Sequence, residues 1–438
     1  MSRMQNQHEG SASAPGRPLT ITTSGMMSPM TGRRGVPLSV PLPFLLTGAG
    51  AAALFGLLLP WIIPQAIQAP GFPHVLALVH LVTLGWLTMT IMGASFQLVP
   101  VIVVTPLRTT RFIRYQYPAY VSGFWWMQPW LLATGGTVIV LAITHYVVIL
   151  AVTFRQATTR PLTVRFLVAS LVYLCLVVSL GLTAALDFQF GFLGAAFDRL
   201  LLTHITLGVV GWLSTTLIGV SYTLVRLFAL AHTHADRLGK VIFVLLNLSI
   251  AMLALGFILS WQPIILVGGG ILVATAWSFA YDYWRMLRFR HRKLLDVTQH
   301  HSSAAVVSFA GVVPGGVATV LFGWGQPRVL VALALFALVG WVGQSTIGYL
   351  YKIVPFLIWH ERYGPLVGRE HVPLMREMIS QRWAAVSWWL INIGLLGAVL
   401  SAWEGWILPA QVASGLLGTG FVFASGNITG VVLHLRKR

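Results

Sequence analysis

Two histidines sit where an imidazole is costly to keep. His80 and His204 each lie well inside a long apolar run, in the contexts His80-Leu-Val-Thr-Leu-Gly-Trp86 and Thr203-His-Ile-Thr-Leu-Gly208. Ionisable groups deep in an apolar segment are expensive and are usually kept for function. A neutral imidazole carries one N–H donor and one lone pair, so it can ligate a metal with one nitrogen while the other is anchored by a hydrogen bond. We read His80 and His204 as metal-ligating residues. The competing chemistry is a histidine that bonds a backbone carbonyl or a hydroxyl and simply packs, and His145 reads that way. Two arginines, Arg199 and Arg328, stand apart from the other basic residues and are candidate partners for an anionic group. They read equally well as plain loop charges.

The segments that carry these residues repeat. Gly85-Trp86, Gly211-Trp212 and Gly340-Trp341 lie 126 and then 129 residues apart. Seven residues after each Trp comes Gly93, Gly219 or Gly348, and ten residues after it an aromatic, Phe96, Tyr222 or Tyr351. A repeat on this scale defines the architecture. The first two copies carry the histidines upstream of the Trp, and the third does not. Small residues allow close helix approach and Trp packs or anchors, which explains the residue types but not their recurrence at one spacing.

Hydrophobic residues make up 57% of the 438, charged residues 9%, and mean hydropathy is +0.81. Apolar runs of about twenty residues recur, the length of a membrane-spanning helix. Short alternating segments are absent, which excludes a β-barrel. The expected fold is therefore all-α and integral to the membrane, with about 12 spans at 40–63, 75–104, 112–133, 137–154, 166–186, 200–225, 241–261, 264–281, 304–322, 329–359, 383–403 and 406–435. Twelve spans and three repeats give three pseudo-symmetric arcs of four helices, with the Gly-Trp motif on the second helix of each arc. Residues 1–36 are polar and rich in Ser, Gly and Pro. They read as a disordered tail ahead of a transmembrane domain over 37–438, with no cleaved signal. A lone Cys175 excludes an internal disulfide.

Net charge is +18. The basic residues collect in the tails and in alternate loops, for example Arg108, Arg111 and Arg114, then Arg285 to Lys293, then Arg362 to Arg382. That distribution is the positive-inside pattern rather than a nucleic-acid surface, and it places both termini in the cytoplasm. The Arg285–Lys293 cluster meets anionic lipid. Arg199 and Arg328 alone fall on the outer side, while Arg226 and Lys352 snorkel near inner span ends. The spans hold almost no acidic residues, which argues against a proton relay. Pro314-Gly-Gly316 reads as a break in span nine, a feature that marks transport sites when it recurs, with no counterpart in spans one or five.

The arrangement resembles subunit I of the heme-copper oxidase superfamily: twelve helices in three arcs, cytoplasmic termini, and histidines in the outer half of spans two and six. The phrases that carry the likeness are His80-Leu-Val-Thr-Leu-Gly-Trp86 with Gln97-Leu-Val-Pro100, and Thr203-His-Ile-Thr-Leu-Gly208 with Gly219-Val-Ser-Tyr222. These also resemble the oxidase-subunit-I-like proteins, and the heme- and copper-binding nitric-oxide-stress membrane proteins of the NnrS type. Architecturally the likeness covers residues 40–435, and at motif level it covers spans two, six and, weakly, ten. Two expected features are missing. Span ten lacks the His-x-His of the oxidases, having no histidine before His360, and span seven has none at all. The usual heme-copper catalytic centre cannot be built from those positions.

Aligned on the Trp, His80 matches position 206 and His204 matches position 78. A displacement of two residues is about 200° around a helix. With the handedness of the resembling oxidases carried over, both imidazoles face the pore between spans two and six, about 9 Å below the outer surface at 1.5 Å per residue. The resemblance therefore implies heme b held by His80 and His204, with Arg199 and Arg328 near its propionates. No Cys-x-x-Cys-His is present for covalent attachment. The function implied is electron transfer or the handling of nitric oxide or another gas. If the protein is an enzyme, it is an oxidoreductase of that type in a bacterial cytoplasmic (inner) membrane, with a redox partner or other membrane subunits. Copper on the same histidine pair is an alternative, although two imidazoles are an incomplete site and Met89 and Met92 lie two to three turns inward. A cofactor-free transporter or structural membrane subunit on the same scaffold is the alternative from another class.

Overall fold

The computed structural model describes residues 36–107, 110–127, 131–231, 235–291 and 294–436. It contains twelve numbered helices. The first arc holds α1 (Pro41–Gln68), α2 (Pro73–Ile102), α3 (Gln116–Trp125) and α4 (Leu132–Arg155). The second holds α5 (Leu162–Phe190), α6 (Gly194–Ala229), α7 (Arg237–Leu259) and α8 (Gln262–Arg288). The third holds α9 (Val297–Phe322), α10 (Pro327–Arg362), α11 (Gln381–Glu404) and α12 (Ile407–Arg436). Among the described residues eleven of these are long and apolar enough to cross a membrane, and none of these residues forms a strand. This is an all-α membrane protein. Residues of the expected N-terminal tail lie outside the described residues, and Val36–Arg438 forms one compact unit.

The exception is the expected third span, 112–133. It is split into a turn, Thr110–Ile113, and the ten-residue α3. Ten residues rise about 15 Å, half a hydrocarbon core. Gly135 and Gly136, between the spans expected at 112–133 and 137–154, lie inside α4 instead. A Cβ on Gly135 would stand 2.5 Å from the carbonyl carbon of Trp126, so this glycine lets the chain leaving α3 cross α4 closely.

The second helix of each arc is the inner one. Of its most apolar window, 61% is buried in α2, 61% in α6 and 72% in α10, against 50% or less in the other eight long helices. Each inner helix contacts the first helix of its own arc through two repeat glycines. Gly93, Gly219 and Gly348 meet Phe44, Phe166 and His301, and Gly85, Gly211 and Gly340 meet Ala51, Tyr173 and Ser308 seven residues further along. The motif aromatics pack on the same first-helix positions: Phe96 on Phe44, Tyr222 on Phe166, and Tyr351 on His301, with ring centroids 5.7, 5.9 and 5.9 Å apart. The arcs then close on each other, α4 on α5, α8 on α9, and α12 on α1. The last junction is the tightest. A Cβ on Gly418 would stand 2.1 Å from the Gly56 oxygen.

All three Gly-Trp motifs lie in π-helical segments of the same length and register: Leu81–Thr88, Leu207–Ser214 and Phe336–Gly343. The wider turn is supported by hydroxyls that reach back five residues, Ser214 to the Val209 oxygen and Thr215 to the Val210 oxygen. Such segments are rare and cluster at functional sites. Here they place the three indoles where the inner helices meet. Trp212 Nε1 donates to Thr88 Oγ1 at 3.0 Å, and Trp341 Nε1 donates to Ser214 Oγ at 2.9 Å. The third member of this ring is Trp86, whose partner position is Gly343. No hydroxyl stands there, Trp86 Nε1 is buried without a partner, and a Cβ on Gly343 would come within 2.6 Å of the Trp86 ring.

Helix α9 corrects two expectations. It starts at Val297 rather than 304, so His300 and His301 belong to the helix and not to a loop. It also runs unbroken through Pro314. Proline withdraws a donor from the carbonyl four residues earlier, and here Trp277 Nε1 of α8 donates to that oxygen, on Ala310, at 3.1 Å. Pro64 in α1 is compensated the same way, by Gln411 Nε2 donating to the Pro60 oxygen. Exposed Trp61, Trp261 and Trp406 at one end, and Tyr281, Trp284 and Trp383 at the end bearing the arginine loops, fit aromatic belts at two membrane interfaces.

Candidate functional site

His80 is the last α-helical residue of α2 before its π segment, and His204 stands three residues before that of α6. Both imidazoles are anchored through Nδ1. His80 Nδ1 is 2.9 Å from the oxygen of Leu76, one turn back on its own helix. His204 Nδ1 is 2.9 Å from the oxygen of Val177 on α5. A carbonyl only accepts, so each Nδ1 carries the proton and each Nε2 presents a lone pair. Among the described residues neither Nε2 has a hydrogen-bond partner. Both histidines are half-buried.

The pseudo-threefold repeat says which space they share. Thr206, the counterpart of His80, lines a cavity between α6 and α10. The same position on α2 therefore opens between α2 and α6. His204 packs on α5, where a Cβ at Gly181 would stand 3.0 Å from its Cε1, and Leu333, its counterpart on α10, packs on α9 in the same manner against Gly315. In the repeat, His80, Thr206 and Leu335 share one position and Leu78, His204 and Leu333 share another, and of these six Thr206 lines the α6–α10 cavity. Imidazoles stand at the first position on α2 and at the second on α6.

Arg199 is exposed near the start of α6, five residues before His204. Arg328 stands elsewhere, at the start of α10, and its Nη1 donates at 3.1 Å to the Glu404 oxygen at the C-terminus of α11, a favourable place for a cation. His145 is bonded through Nδ1 to Gln116 Oε1 at 2.6 Å, and Gln116 Nε2 bonds the Ala142 oxygen. Arg226 and Lys352 pair with Asp236 at 2.8 Å and Asp296 at 2.5 Å, the residues just before α7 and α9. Met89 and Met92 are buried. No group of three or more His, Cys, Asp or Glu able to hold a metal ion occurs among the described residues.

His301 is the residue that the sequence reading misplaced. It is fully buried in the position held by Phe44 and Phe166 in the other arcs. Its Nδ1 bonds Gln344 Oε1 at 3.2 Å, Gln344 and Asn392 exchange amide hydrogen bonds, and His301 Nε2 is buried without a partner. A signal was present. Asp296 and Gln299 form a capping box, the start signature of a helix at Val297.

Against known families, the chain matches no family model, and no curated protein is similar to it in sequence.

Proposed function

We propose that the protein is a membrane b-type heme protein whose axial ligands are His80 and His204, serving electron transfer. The observation that carries this reading is the matched state of the two imidazoles. Each has Nδ1–H fixed by a backbone carbonyl and Nε2 unpartnered, the arrangement that orients a metal-bound histidine and raises its basicity. Their positions on facing inner helices suit the two sides of one planar macrocycle. When bound, heme would supply a one-electron couple, with a potential set by its axial ligands and surroundings. Two imidazoles holding one heme would leave its iron no open position, which favours electron transfer over gas binding. Handling of nitric oxide or another gas would require one histidine to leave. Arg199, on the same helix as His204, is the better candidate for a propionate partner, because Arg328 is engaged at the end of α11.

The positive-inside pattern puts the arginine loops and both termini in the cytoplasm, and the setting proposed is a bacterial inner membrane with a redox partner or another membrane subunit. The copper alternative has the same two nitrogens but no third ligand among neighbouring His, Cys, Asp or Glu. The cofactor-free transporter has lost its one structural cue, because α9 is continuous through Pro314.

The test is to purify the full chain from cells well supplied with heme and record reduced-minus-oxidised spectra with metal analysis. A b-type α-band at one heme per chain supports the reading. Copper without heme supports the metal alternative, and an absence of both supports the cofactor-free scaffold.

A further inference from the structure

The space between α6 and α10 differs in kind from the one that holds the histidines. It forms a cavity of about 230 Å³, open on one side and lined by Val210, Phe257, Leu272, Phe309, Val313 and Trp341, among others. Its lining contains only two hydroxyls and one indole N–H, and all three are committed. Thr206 Oγ1 donates to the Leu202 oxygen at 2.8 Å, and Ser214 Oγ donates to the Val209 oxygen while accepting from Trp341 Nε1. No side-chain donor is left for a guest, and only spare hydroxyl lone pairs could accept from one. The wall made by α8 and α9 is half-exposed on the membrane side at Leu266, Val313, Gly316 and Val317, so the route in is from the lipid phase.

The geometry points to a binding site for a small, uncharged, lipid-soluble guest without hydrogen-bonding groups, in the size range from a diatomic gas to a single-ring hydrocarbon. Apolar protein cavities of about 150 Å³ take benzene or xenon and exclude water, because water needs two to four polar partners. This cavity is larger and offers no free side-chain donor, only the spare lone pairs of Thr206 and Ser214. At its rim a Cβ on Gly316 would meet nothing within 4 Å, while one on Gly269 would come within 2.8 Å of Val317, where α8 and α9 approach closely. The inference does not depend on heme, since the histidines belong to the neighbouring space.

Xenon is the probe. A structure of the full chain determined under xenon pressure should show xenon between Phe309, Leu272 and Trp341. Ala337→Phe and Val313→Phe, made separately, should each lower its occupancy at least tenfold, while Phe257→Ala keeps or raises it. No xenon in the wild-type cavity overturns the inference, as does an ordered water cluster or a lipid acyl chain in its place. Occupancy equal to that of the wild type in both filled variants also overturns it. The reduced-minus-oxidised spectrum is an independent readout: it should be unchanged in the filled variants, so failure here and failure of the heme reading are distinguishable.

Discussion

Trp86, Trp212 and Trp341 hold one position of one repeat and differ in a single hydrogen bond. The indoles of Trp212 and Trp341 each donate to a hydroxyl two residues past the next motif Trp, and Trp86 meets Gly343 instead. Interhelical hydrogen bonds in membranes average about 0.6 kcal/mol and reach about 1.7. A double-mutant cycle of Trp212→Phe with Thr88→Val should therefore give a coupling of about 0.5–1.5 kcal/mol in reversible unfolding, and one of Trp86→Phe with Thr88→Val should give about none. A second comparison concerns His301. His301→Phe restores the residue type of the other two arcs and removes a buried nitrogen that has no partner. Leaving such a group unsatisfied costs about 1–3 kcal/mol, and Gln344 Oε1 keeps its bond from Asn392. The variant should fold with unchanged or higher thermal stability. A marked loss of folded protein would show that the imidazole is structurally required.

Among the elements, the helix junctions depend on a few glycines. Gly418→Leu should collapse the α12–α1 junction, since even a Cβ would stand 2.1 Å from the Gly56 oxygen. Overpacking of this kind costs on the order of 3 kcal/mol. Gly426→Leu on the same helix, with nothing within 4 Å, should be neutral. Size-exclusion profiles of the two proteins in detergent compare them directly. The helices themselves were legible because long apolar runs and alternate basic loops are written in composition. Three things were not. The π segments were hidden because a widened turn depends on hydroxyls and neighbouring helices rather than on a window of hydropathy. The start of α9 was hidden because Thr298, Gln299, His301 and Ser302 are polar yet buried, so hydropathy placed the end of the span inside them. The brevity of α3 was missed although Gln116, Tyr117, Pro118 and Ser122 make it less apolar than α4, because the stretch around it was read as one continuous run.

At the scale of the molecule, the repeat builds three related spaces and the side chains make them unequal. One has two imidazoles, one an apolar cavity, and the third is closed by Phe55, Trp86 and Phe421 packed ring on ring with centroids 5.0 to 6.3 Å apart. The three-arc plan was readable from residue spacing, because Gly and Trp recur in register. Which helices the histidines touch was not, because Val177 and Gly181 lie on a helix whose spacing to the motif varies between arcs. The central claim is that His80 and His204 act as one unit on one iron. The most direct measurement is low-temperature electron paramagnetic resonance of the oxidised protein, compared with His80→Ala, His204→Ala and His145→Ala. The account predicts a low-spin signal of bis-imidazole type in the parent and in His145→Ala, and its conversion to a high-spin signal, or loss of heme, in either of the other two. A low-spin signal that survives both His80→Ala and His204→Ala would contradict it.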